Sequence, residues 1–490
     1  MTVQNPLIDY HAIAPEMVMA GAIFVVLTAD LFLPRERKWV AMPLAFLGAL
    51  GALVATLTLA GEERATFGGS YVVDGFAVLF KVFFTVAAMV VLAISFRYVR
   101  EGRFYQGEYY FLILCSFLGM LTIVSSRDLL MLFISLELVS APGFLLAGFR
   151  KGDPRSNEAA IKFFLIGVLS SAVMLYGMSL VYGVTGSLRL EEIAARLPEA
   201  GESNVVLAAV LFVVAGFAFK VSSFPFQFWA PDTYEGSPVP VAAYLSVASK
   251  AAGFAGLLQL MFVAFLPVAE FWAPIFGVLA LFTMTLGNLV ALQQRQVVRL
   301  LAYSSIAQAG YMLVPFALAG FSPEVDRAAL SAAVLYLLIY GVMNLGAFAV
   351  VVAVAREAPG VLVADFAGLA QRAPALAVSL AAFLLSLAGI PPLAGFWAKF
   401  FIFTAAIDRG GLGPWLAAAL VVNSVISVVY YVAVIRPMFF EPAPQPVRPL
   451  RASALLTAVV VVAALTVLAV GVFPDLFADF PARATLVAGS

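Results

Sequence analysis

Fourteen apolar segments, each long enough to cross a lipid bilayer as a helix, follow one another along the chain with short polar connectors between them. A bilayer-spanning helix needs about 20 mostly apolar residues. The chain is 63% hydrophobic and only 11% charged, which excludes a soluble domain of this size. We therefore predict an all-α polytopic membrane protein with spans at 15–33, 38–60, 73–98, 108–125, 128–149, 158–184, 204–225, 238–263, 268–292, 297–319, 328–355, 375–408, 412–438 and 452–473.

The connectors are too short to hold a soluble domain, and the longest polar stretch, 185–204, reads as one amphipathic segment. The first apolar run has no Lys or Arg before it and is followed by many others, which indicates a retained span rather than a cleaved signal peptide. The net charge is zero, so we expect no nucleic-acid partner. Cys115 and His11 are the only residues of their types, so we expect no metal site, haem, iron–sulfur cluster or internal disulfide in this chain.

Basic residues are concentrated in the odd-numbered connectors of the first half, whereas the second and fourth connectors hold one arginine each, Arg64 and Arg127. Lys and Arg of short loops remain on the cytoplasmic side of a membrane. We therefore expect the odd connectors to be cytoplasmic and both termini to lie outside, although the seventh connector, with Asp232 and Glu235, is acidic. The basic residues are Arg35, Arg37 and Lys38 in the first connector, Arg97, Arg100 and Arg103 in the third, and Arg150, Lys151 and Arg155 in the fifth.

Two spans are interrupted by proline-containing runs, at 222–225 in the seventh and at 389–392 in the twelfth, five helices apart. Proline removes a backbone hydrogen bond, and non-helical backbone survives at membrane depth only where protein or a water-filled cavity satisfies it. Matching interruptions in two halves of a chain are typical of inverted repeats around a transport site. The two interruptions therefore indicate inverted repeats and mark the expected transport site.

Four lysines and one glutamate set into the apolar runs of the predicted spans are the candidate functional residues: Glu137, Lys162, Lys220, Lys250 and Lys399. A charge in hydrocarbon costs roughly 2.5–3.5 kcal/mol, so such residues normally line an ion or proton path. Lysine can lose its proton when buried, whereas arginine remains charged. We interpret the five as proton-translocating residues.

Two of these residues are expected to act as a switch. A Glu137 carboxylate close to Lys220 would favour the ammonium, and its withdrawal would release the proton. Lys220 precedes the break at Pro225 by about one turn, so carbonyls freed by the break would hold its cation. Lys250 follows a run of small polar residues in the eighth span, and Lys399 follows the second break.

Structural explanations remain open for each of them. A lysine near a helix end usually extends to the membrane interface, which applies to Lys162 and, if the twelfth span stops at Pro391, to Lys399. For Glu137, Lys220 and Lys250, the structural alternative is that each belongs to a buried ion pair with no role in transport.

Three other charged or titratable residues are interpreted as structural. Lys81 is expected to pair with Asp74 or to extend to the interface, and Asp30, near the end of the first span, is interpreted as structural. His11 precedes the first span and is interpreted as an interface residue rather than a proton carrier.

The longest motif surrounds the first break. It reads FKVSSFPFQFWAPDTYEGSP at 219–238, followed by Lys250, and it resembles the signature of the antiporter-like subunits of respiratory complex I. Four shorter runs agree, so the resemblance covers nearly the whole chain: LEL at 136–138, EAAIK at 158–162, LLAYSSI at 300–306 and IPPLAGFWAKFF at 390–401.

The resemblance implies three N-terminal helices in 1–107, two five-helix inverted repeats formed by helices four to eight in 108–265 and nine to thirteen in 266–440, and a last helix in 441–490. It implies that Glu137 and Lys220 form a coupling pair, that Lys250 connects the halves, that Lys399 lies toward the outer face, and that Lys162 is the sixth-helix lysine of the family.

Two positions depart from the family pattern. Gln227 and Gln308 stand where the family often has histidine. A glutamine side chain binds water but does not titrate, so this chain has no imidazole to carry a proton at these two positions. Chains of water molecules would have to carry the proton past them.

The resemblance further implies a proton-translocating membrane-arm subunit of a bacterial inner-membrane NADH-quinone oxidoreductase. NADH oxidation and quinone reduction would occur in partner subunits that carry flavin and iron–sulfur clusters, and this chain would hold no cofactor. Its partners would be other membrane-arm subunits, the lipid bilayer and the transported proton. Two alternatives remain: a subunit of a multi-subunit sodium/proton antiporter, and a scaffold whose buried charges are inert.

Overall fold

The computed structural model describes residues 8–102, 104–198, 204–443, 448–450, 452–475 and 486. Arg103 and parts of the predicted last segment, 441–490, therefore lie outside the described residues. The helices are α1 (Ala14–Phe32), α2 (Ala41–Leu57), α3 (Gly75–Glu101), α4 (Gln106–Ser125), α5 (Leu129–Ala147), α6 (Pro154–Thr185), α7 (Leu190–Arg196), α8 (Asn204–Lys220), α9 (Trp229–Gly236), α10 (Val239–Tyr244), α11 (Lys250–Gln259), α12 (Ala269–Ala291), α13 (Val297–Leu318), α14 (Pro323–Ala355), α15 (Leu369–Arg372), α16 (Pro374–Ala388), α17 (Ala394–Arg409), α18 (Gly413–Phe440) and α19 (Ala454–Val472).

All fourteen predicted spans contain helix. Within the described part of the chain, twelve helical segments are long and apolar enough to cross a membrane. The other two predicted spans are the interrupted ones, whose apolar helices are shorter: α8 has 17 residues and α16 has 15. The prediction of an all-α polytopic fold is confirmed, with the seventh and twelfth spans in pieces.

Both predicted interruptions are present. The seventh span stops at Lys220 and helix resumes at Trp229, whereas the twelfth stops at Ala388 and resumes at Ala394. Side chains satisfy part of the backbone exposed at each break: Trp229 Nε1 donates to Phe219 O at 3.0 Å, and Gly395 N donates to Ser386 Oγ at 2.9 Å. Protein groups thus replace the water that membrane-embedded backbone lacks.

The eighth span runs from Val239 to Ala264 and is not a regular α-helix. A π-helical turn, Leu245–Ser249, separates α10 from α11, and a second one, Leu260–Ala264, follows α11. A π turn inserts one residue into the α-helical ladder and is common at functional sites. Lys250 is the first residue after the first of these turns.

A short β-hairpin, which the sequence analysis did not anticipate, lies between α2 and α3. Its strands β1 (Arg64–Thr66) and β2 (Tyr71–Val73) are antiparallel, with Ala65 opposite Val72. Strands of three residues are too short to show a two-residue hydrophobic period, so the sequence pattern does not indicate them.

The most enclosed helices lie at the centre of the bundle. The apolar windows of the eighth span, α13 and α14 are each 89% buried, compared with 22% for α1. Glycines bring α12 and α13 together: a Cβ on Gly310 would lie 2.3 Å from Met284 N, and one on Gly287 would lie 2.5 Å from Ala307 N. Lys250 and its neighbours are therefore surrounded by protein rather than lipid.

Candidate functional site

Glu137 and Lys220 face each other between α5 and the broken end of α8. Lys220 Nζ lies 3.8 Å from Glu137 Oε1 and donates a hydrogen bond to Ser140 Oγ. Ser171 Oγ donates to the same Glu137 oxygen at 2.6 Å. The Lys220 side chain is 8% exposed and that of Glu137 is 30% exposed. A separation of 3.8 Å is too long for a direct hydrogen bond, so charge attraction alone joins the two side chains and a small movement separates them.

Lys250 is buried between α11 and α13 with neutral partners. Its ammonium donates to both the backbone oxygen and the hydroxyl of Ser305, each at 2.9 Å. Only 1% of the residue is exposed. No carboxylate of the described residues forms an ion pair with it.

Gly253, one turn after Lys250, packs against Lys220 at the broken end of α8. A Cβ at this position would lie 3.2 Å from the Lys220 Cβ. The absence of a side chain at Gly253 thus lets the broken end of α8 pack directly on α11.

Lys399, on α17, reaches back to the broken end of α16. Its Nζ donates to Leu387 O at 3.0 Å and to Ala388 O at 2.9 Å, and it lies 4.7 Å from the centre of the Tyr311 ring. The last carbonyls of a helix have no intrahelical donors and carry the negative end of its dipole. Lys399, at 6% exposure, also borders a cavity of about 400 Å³ lined mainly by apolar side chains.

The carbonyl contact expected for Lys220 is found instead at Lys399. Lys220 is the last residue of α8, and its ammonium contacts Ser140 and Glu137 of the neighbouring helix α5. Lys399 begins beyond its break and points back across it. The side of the break on which a lysine lies therefore decides which groups hold its cation.

A buried network of hydroxyl and amide groups lies between Lys250 and Lys399. Ser304, adjacent to Ser305, shares a 2.6 Å hydrogen bond with Tyr431 OH. Gln308 Nε2 donates to Tyr431 OH at 3.2 Å and to Leu387 O at 3.0 Å. The second of these oxygens also accepts from Lys399. Polar groups of α13, α16 and α18 thus nearly bridge the two lysines.

Lys162 does not lie with the other four residues. Its side chain is 44% exposed and its ammonium pairs with Glu158 at 2.7 Å and with Asp232 at 3.0 Å. Arg299 Nη1 also contacts Asp232 and Glu235, at 2.7 and 2.8 Å. These five side chains tie α6, α9 and α13 into one partly exposed charge cluster.

The pKa of Asp232 reflects that cluster. Burial raises the pKa of this carboxyl, but hydrogen bonds and charge attraction from Arg299 and Lys162 outweigh burial and hold it below the usual range. The acidic seventh connector is therefore neutralised by basic residues from two other helices.

Two further ion pairs are buried between helices, and neither was predicted from the sequence. Lys81 is completely buried, so the expectation that it extends to the interface is wrong; it forms an ion pair with Glu16 at 2.8 Å, and the charge of Asp74 also attracts it. Asp74 forms an ion pair with Arg127 at 2.5 Å, and both side chains are nearly inaccessible.

Arg127 also donates to Gln259, which joins α3, α5 and the end of the eighth span. Arg127 was expected to be a connector residue, because it lies directly before an apolar span. The sequence does contain a sign of the two pairs, namely an acidic residue at the start of each helix that supplies the carboxylate: Asp74 caps α3, and Glu16 lies in the first turn of α1.

Asp30, near the end of the first span, forms an ion pair: Lys38 Nζ lies 2.9 Å from Asp30 Oδ2. His11 lies 2.9 Å from Thr58 Oγ1 near the start of the first span. In the described part of the chain, no group of three or more His, Cys, Asp or Glu side chains is placed to hold a metal ion.

Comparison with known proteins identifies the family. Residues 126–427 match the family model described as NADH:quinone oxidoreductase/Mrp antiporter, TM. A protein named NADH-quinone oxidoreductase subunit N from Trichlorobacter lovleyi is 38% identical over 97% of both chains. One named NADH-quinone oxidoreductase subunit N 2 from Streptomyces griseus is 44% identical over 90% of this chain and 84% of its own. Within the family, the motifs quoted above are also most similar to subunit N.

Solved structures agree in fold. A chain of respiratory complex I from Thermus thermophilus with bound aureothin superposes with a TM-score of 0.79 at 32% identity and covers 97% of this chain and all of its own. A chain of the Mrp complex from Dietzia superposes with a TM-score of 0.84, covers 96% of both chains and is 21% identical, which shows a shared fold. The chain therefore belongs to the NADH:quinone oxidoreductase/Mrp antiporter transmembrane family.

Proposed function

We propose that this chain is a proton-translocating subunit in the membrane arm of an NADH-quinone oxidoreductase. The observation that carries the proposal is the set of three lysines, Lys220, Lys250 and Lys399, buried in a helix bundle of spanning length. Lysines at such depth are costly and normally mark a path for ions or protons.

The proton path starts at the Glu137–Lys220 pair. With the carboxylate near, the ammonium of Lys220 is stabilised; when the carboxylate moves away, the ammonium gives up its proton and becomes a neutral amine. The 3.8 Å separation makes this pair easy to break. Glu137 in this scheme is the residue that responds to events in the rest of the complex.

Lys250 and Lys399 carry the proton onward. Each accepts a proton as a neutral amine and releases it as an ammonium, so one proton entering at Lys220 corresponds to one leaving beyond Lys399. Their partners are the oxygens of Ser305, Leu387 and Ala388, which orient an ammonium without neutralising it. An unneutralised buried cation keeps a strong tendency to lose its proton.

Lys162 has a different part in the proposal. Because it is half-exposed and paired with Glu158 and Asp232, it serves as the access residue of the path. Protons from solvent reach the bundle through its charge cluster.

The two five-helix repeats, 108–265 and 266–440, form the two halves of the transporter, flanked by the N-terminal helices 1–107 and the last helix 441–490. Corresponding interruptions after α8 and α16 support this division. In each half a lysine lies beside the interruption, as expected for binding sites built at broken helices.

The chain lies in the inner membrane of a bacterium with both termini outside, as the basic odd-numbered connectors indicate. Other membrane-arm subunits contact it, and flavin and iron–sulfur clusters reside in partner subunits. No cofactor is assigned to this chain.

Proton pumping by the purified complex in proteoliposomes tests the proposal. Lys220→Ala should leave the complex assembled and oxidising NADH but reduce proton uptake per NADH by about tenfold or more. Lys151→Ala is the matched control, because this lysine is 61% exposed and pairs with Glu108. Undiminished pumping in Lys220→Ala would contradict a relay and favour the scaffold.

A sodium/proton antiporter subunit is the second candidate, supported by the shared fold with the Mrp complex of Dietzia. Native electrophoresis of mildly solubilised membranes, stained for NADH dehydrogenase activity, separates the two. Mass spectrometry should find this chain in the active band together with flavin and iron–sulfur subunits. Its presence only in a smaller complex without those subunits would establish the antiporter.

A further inference from the structure

Gln308 is fully buried on α13, between the lysines of the two halves, and both its amide N–H groups and its amide oxygen are hydrogen-bonded. Its amide nitrogen donates to Leu387 O at 3.0 Å and to Tyr431 OH at 3.2 Å. Its amide oxygen accepts from Tyr336 OH. A carboxamide has two N–H donors and one oxygen acceptor, so the three contacts engage both donors and the oxygen.

These partners determine the orientation of the amide. Leu387 presents only a backbone carbonyl, which accepts and cannot donate, so the nitrogen of Gln308 and not its oxygen must face it. The oxygen is consequently directed to the hydroxyl of Tyr336. Rotating the amide by half a turn would place two oxygens against each other at Leu387.

The carbonyl that accepts from Gln308 also holds Lys399. Leu387 O lies 3.0 Å from Lys399 Nζ and 3.0 Å from Gln308 Nε2. It belongs to the last turn of α16, where carbonyls have no helical donor. When Lys399 releases its proton or moves, Gln308 keeps this carbonyl hydrogen-bonded, and the broken end of α16 stays in place.

We propose that Gln308 is a positioning residue for Lys399: its N–H donor holds the Leu387 carbonyl, so that the lysine can bind and leave that carbonyl reversibly. The inference rests on the proposed proton-carrying function of Lys399. The requirement at position 308 is a hydrogen-bond donor of the right reach, and a titratable side chain is not needed there.

Three variants of the complex in proteoliposomes test the inference, with NADH oxidation and proton uptake recorded together. Gln308→Met keeps the length of the side chain but has no donor, and should lower the protons moved per NADH by about fivefold, the factor expected for one net hydrogen bond. Gln308→His restores an N–H at similar reach and should pump at the wild-type ratio. Gln294→Met is the matched control, because the Gln294 side chain donates to Val290 O in the last turn of the preceding helix α12 and lies away from both lysines along the chain.

Tyr336→Phe provides a second test that does not depend on how well Gln308→Met assembles. It removes the hydroxyl that orients the amide and should lower the pumping ratio by about twofold, less than Gln308→Met. Wild-type pumping in Gln308→Met or in Tyr336→Phe, or a loss in Gln308→His as large as in Gln308→Met, would overturn the inference.

Lys399→Met, measured in the same series, separates this inference from the proposed function. If Lys399→Met pumps normally, the proton path itself is wrong. If Lys399→Met fails to pump while Gln308→Met pumps normally, the path stands and only the positioning by Gln308 is refuted.

Discussion

The same helix bundle buries charges in two different ways. Near α1, α3 and α5, each buried cation has a carboxylate in contact: Lys81 with Glu16 and Arg127 with Asp74. Along α11, α13 and α17, the ammonium groups of Lys250 and Lys399 hydrogen-bond to neutral oxygens, and neither forms an ion pair with a carboxylate of the described residues. In the first region a carboxylate neutralises each of the two buried cations, and in the second region Lys250 and Lys399 have neutral partners.

Under the proposed function, this difference separates structural charges from proton-carrying ones. A matched and hydrogen-bonded pair is strongly destabilised when one partner is removed, because the other charge is left buried alone. A lysine held by carbonyls and hydroxyls keeps a positive charge that no carboxylate neutralises. Loss of its proton removes that buried charge. Glu137 and Lys220 lie between these extremes, since they attract each other across 3.8 Å without a direct hydrogen bond.

The largest expected effect comes from breaking a matched pair. Arg127→Met leaves Asp74 buried without its arginine and should destabilise the subunit by about 3–5 kcal/mol. Thermal denaturation of the purified complex and the yield of assembled complex measure this. The double variant Asp74→Leu with Arg127→Met, which removes both charges, should recover most of the loss, and an Arg127→Met complex of wild-type stability would contradict the comparison.

Removing a buried lysine that has no carboxylate partner should lower proton pumping without lowering stability. Lys250→Met eliminates a buried cation without stranding a carboxylate, so the denaturation temperature should stay unchanged or rise. Proton uptake per NADH should nevertheless fall by about tenfold or more, because one carrier of the path is lost. Lys151→Met is the control. Destabilisation by several kcal/mol with normal pumping would show that Lys250 is structural after all.

The smallest effect is expected in the partly exposed cluster around Asp232. Asp232→Asn should cost less than about 1 kcal/mol at neutral pH, because exposed ion pairs contribute little. The pKa of Asp232 is below its usual value, so the carboxylate stabilises the folded state above pH of about 4 and this contribution is lost as pH falls further. The stability difference between wild type and Asp232→Asn should therefore shrink below pH of about 4, and a difference that grows there would contradict the assignment.

The helices were the most predictable part of the molecule. Apolar runs of bilayer-spanning length and two proline-containing interruptions located all fourteen spans and both breaks, because length and hydropathy are local properties of the chain. The β-hairpin at Arg64–Val73 and the π turn before Lys250 were not predicted, since neither changes the hydrophobic pattern that surrounds it.

The charged residues were predictable in identity but not in partnership. Lys220, Lys250 and Lys399 were recognised as buried because each interrupts an apolar run. The sequence did not indicate that Arg127 is buried, because it directly precedes a span and resembles a loop residue. Which carboxylate neutralises Lys81 depends on how α1 packs on α3, which one segment of sequence cannot show.

The sequence by itself determined that this chain is a polytopic helical membrane protein, which helices are broken and which side chains bear charge at depth. Hydropathy, helix length and proline act locally, and the bilayer allows few alternatives. Only the tertiary structure decided that Lys399 is held by the end of a helix, that Lys162 lies in a partly exposed cluster, and that Gln308 shares a carbonyl with Lys399. Those contacts join residues far apart in the chain, and helix packing alone brings them within hydrogen-bonding distance.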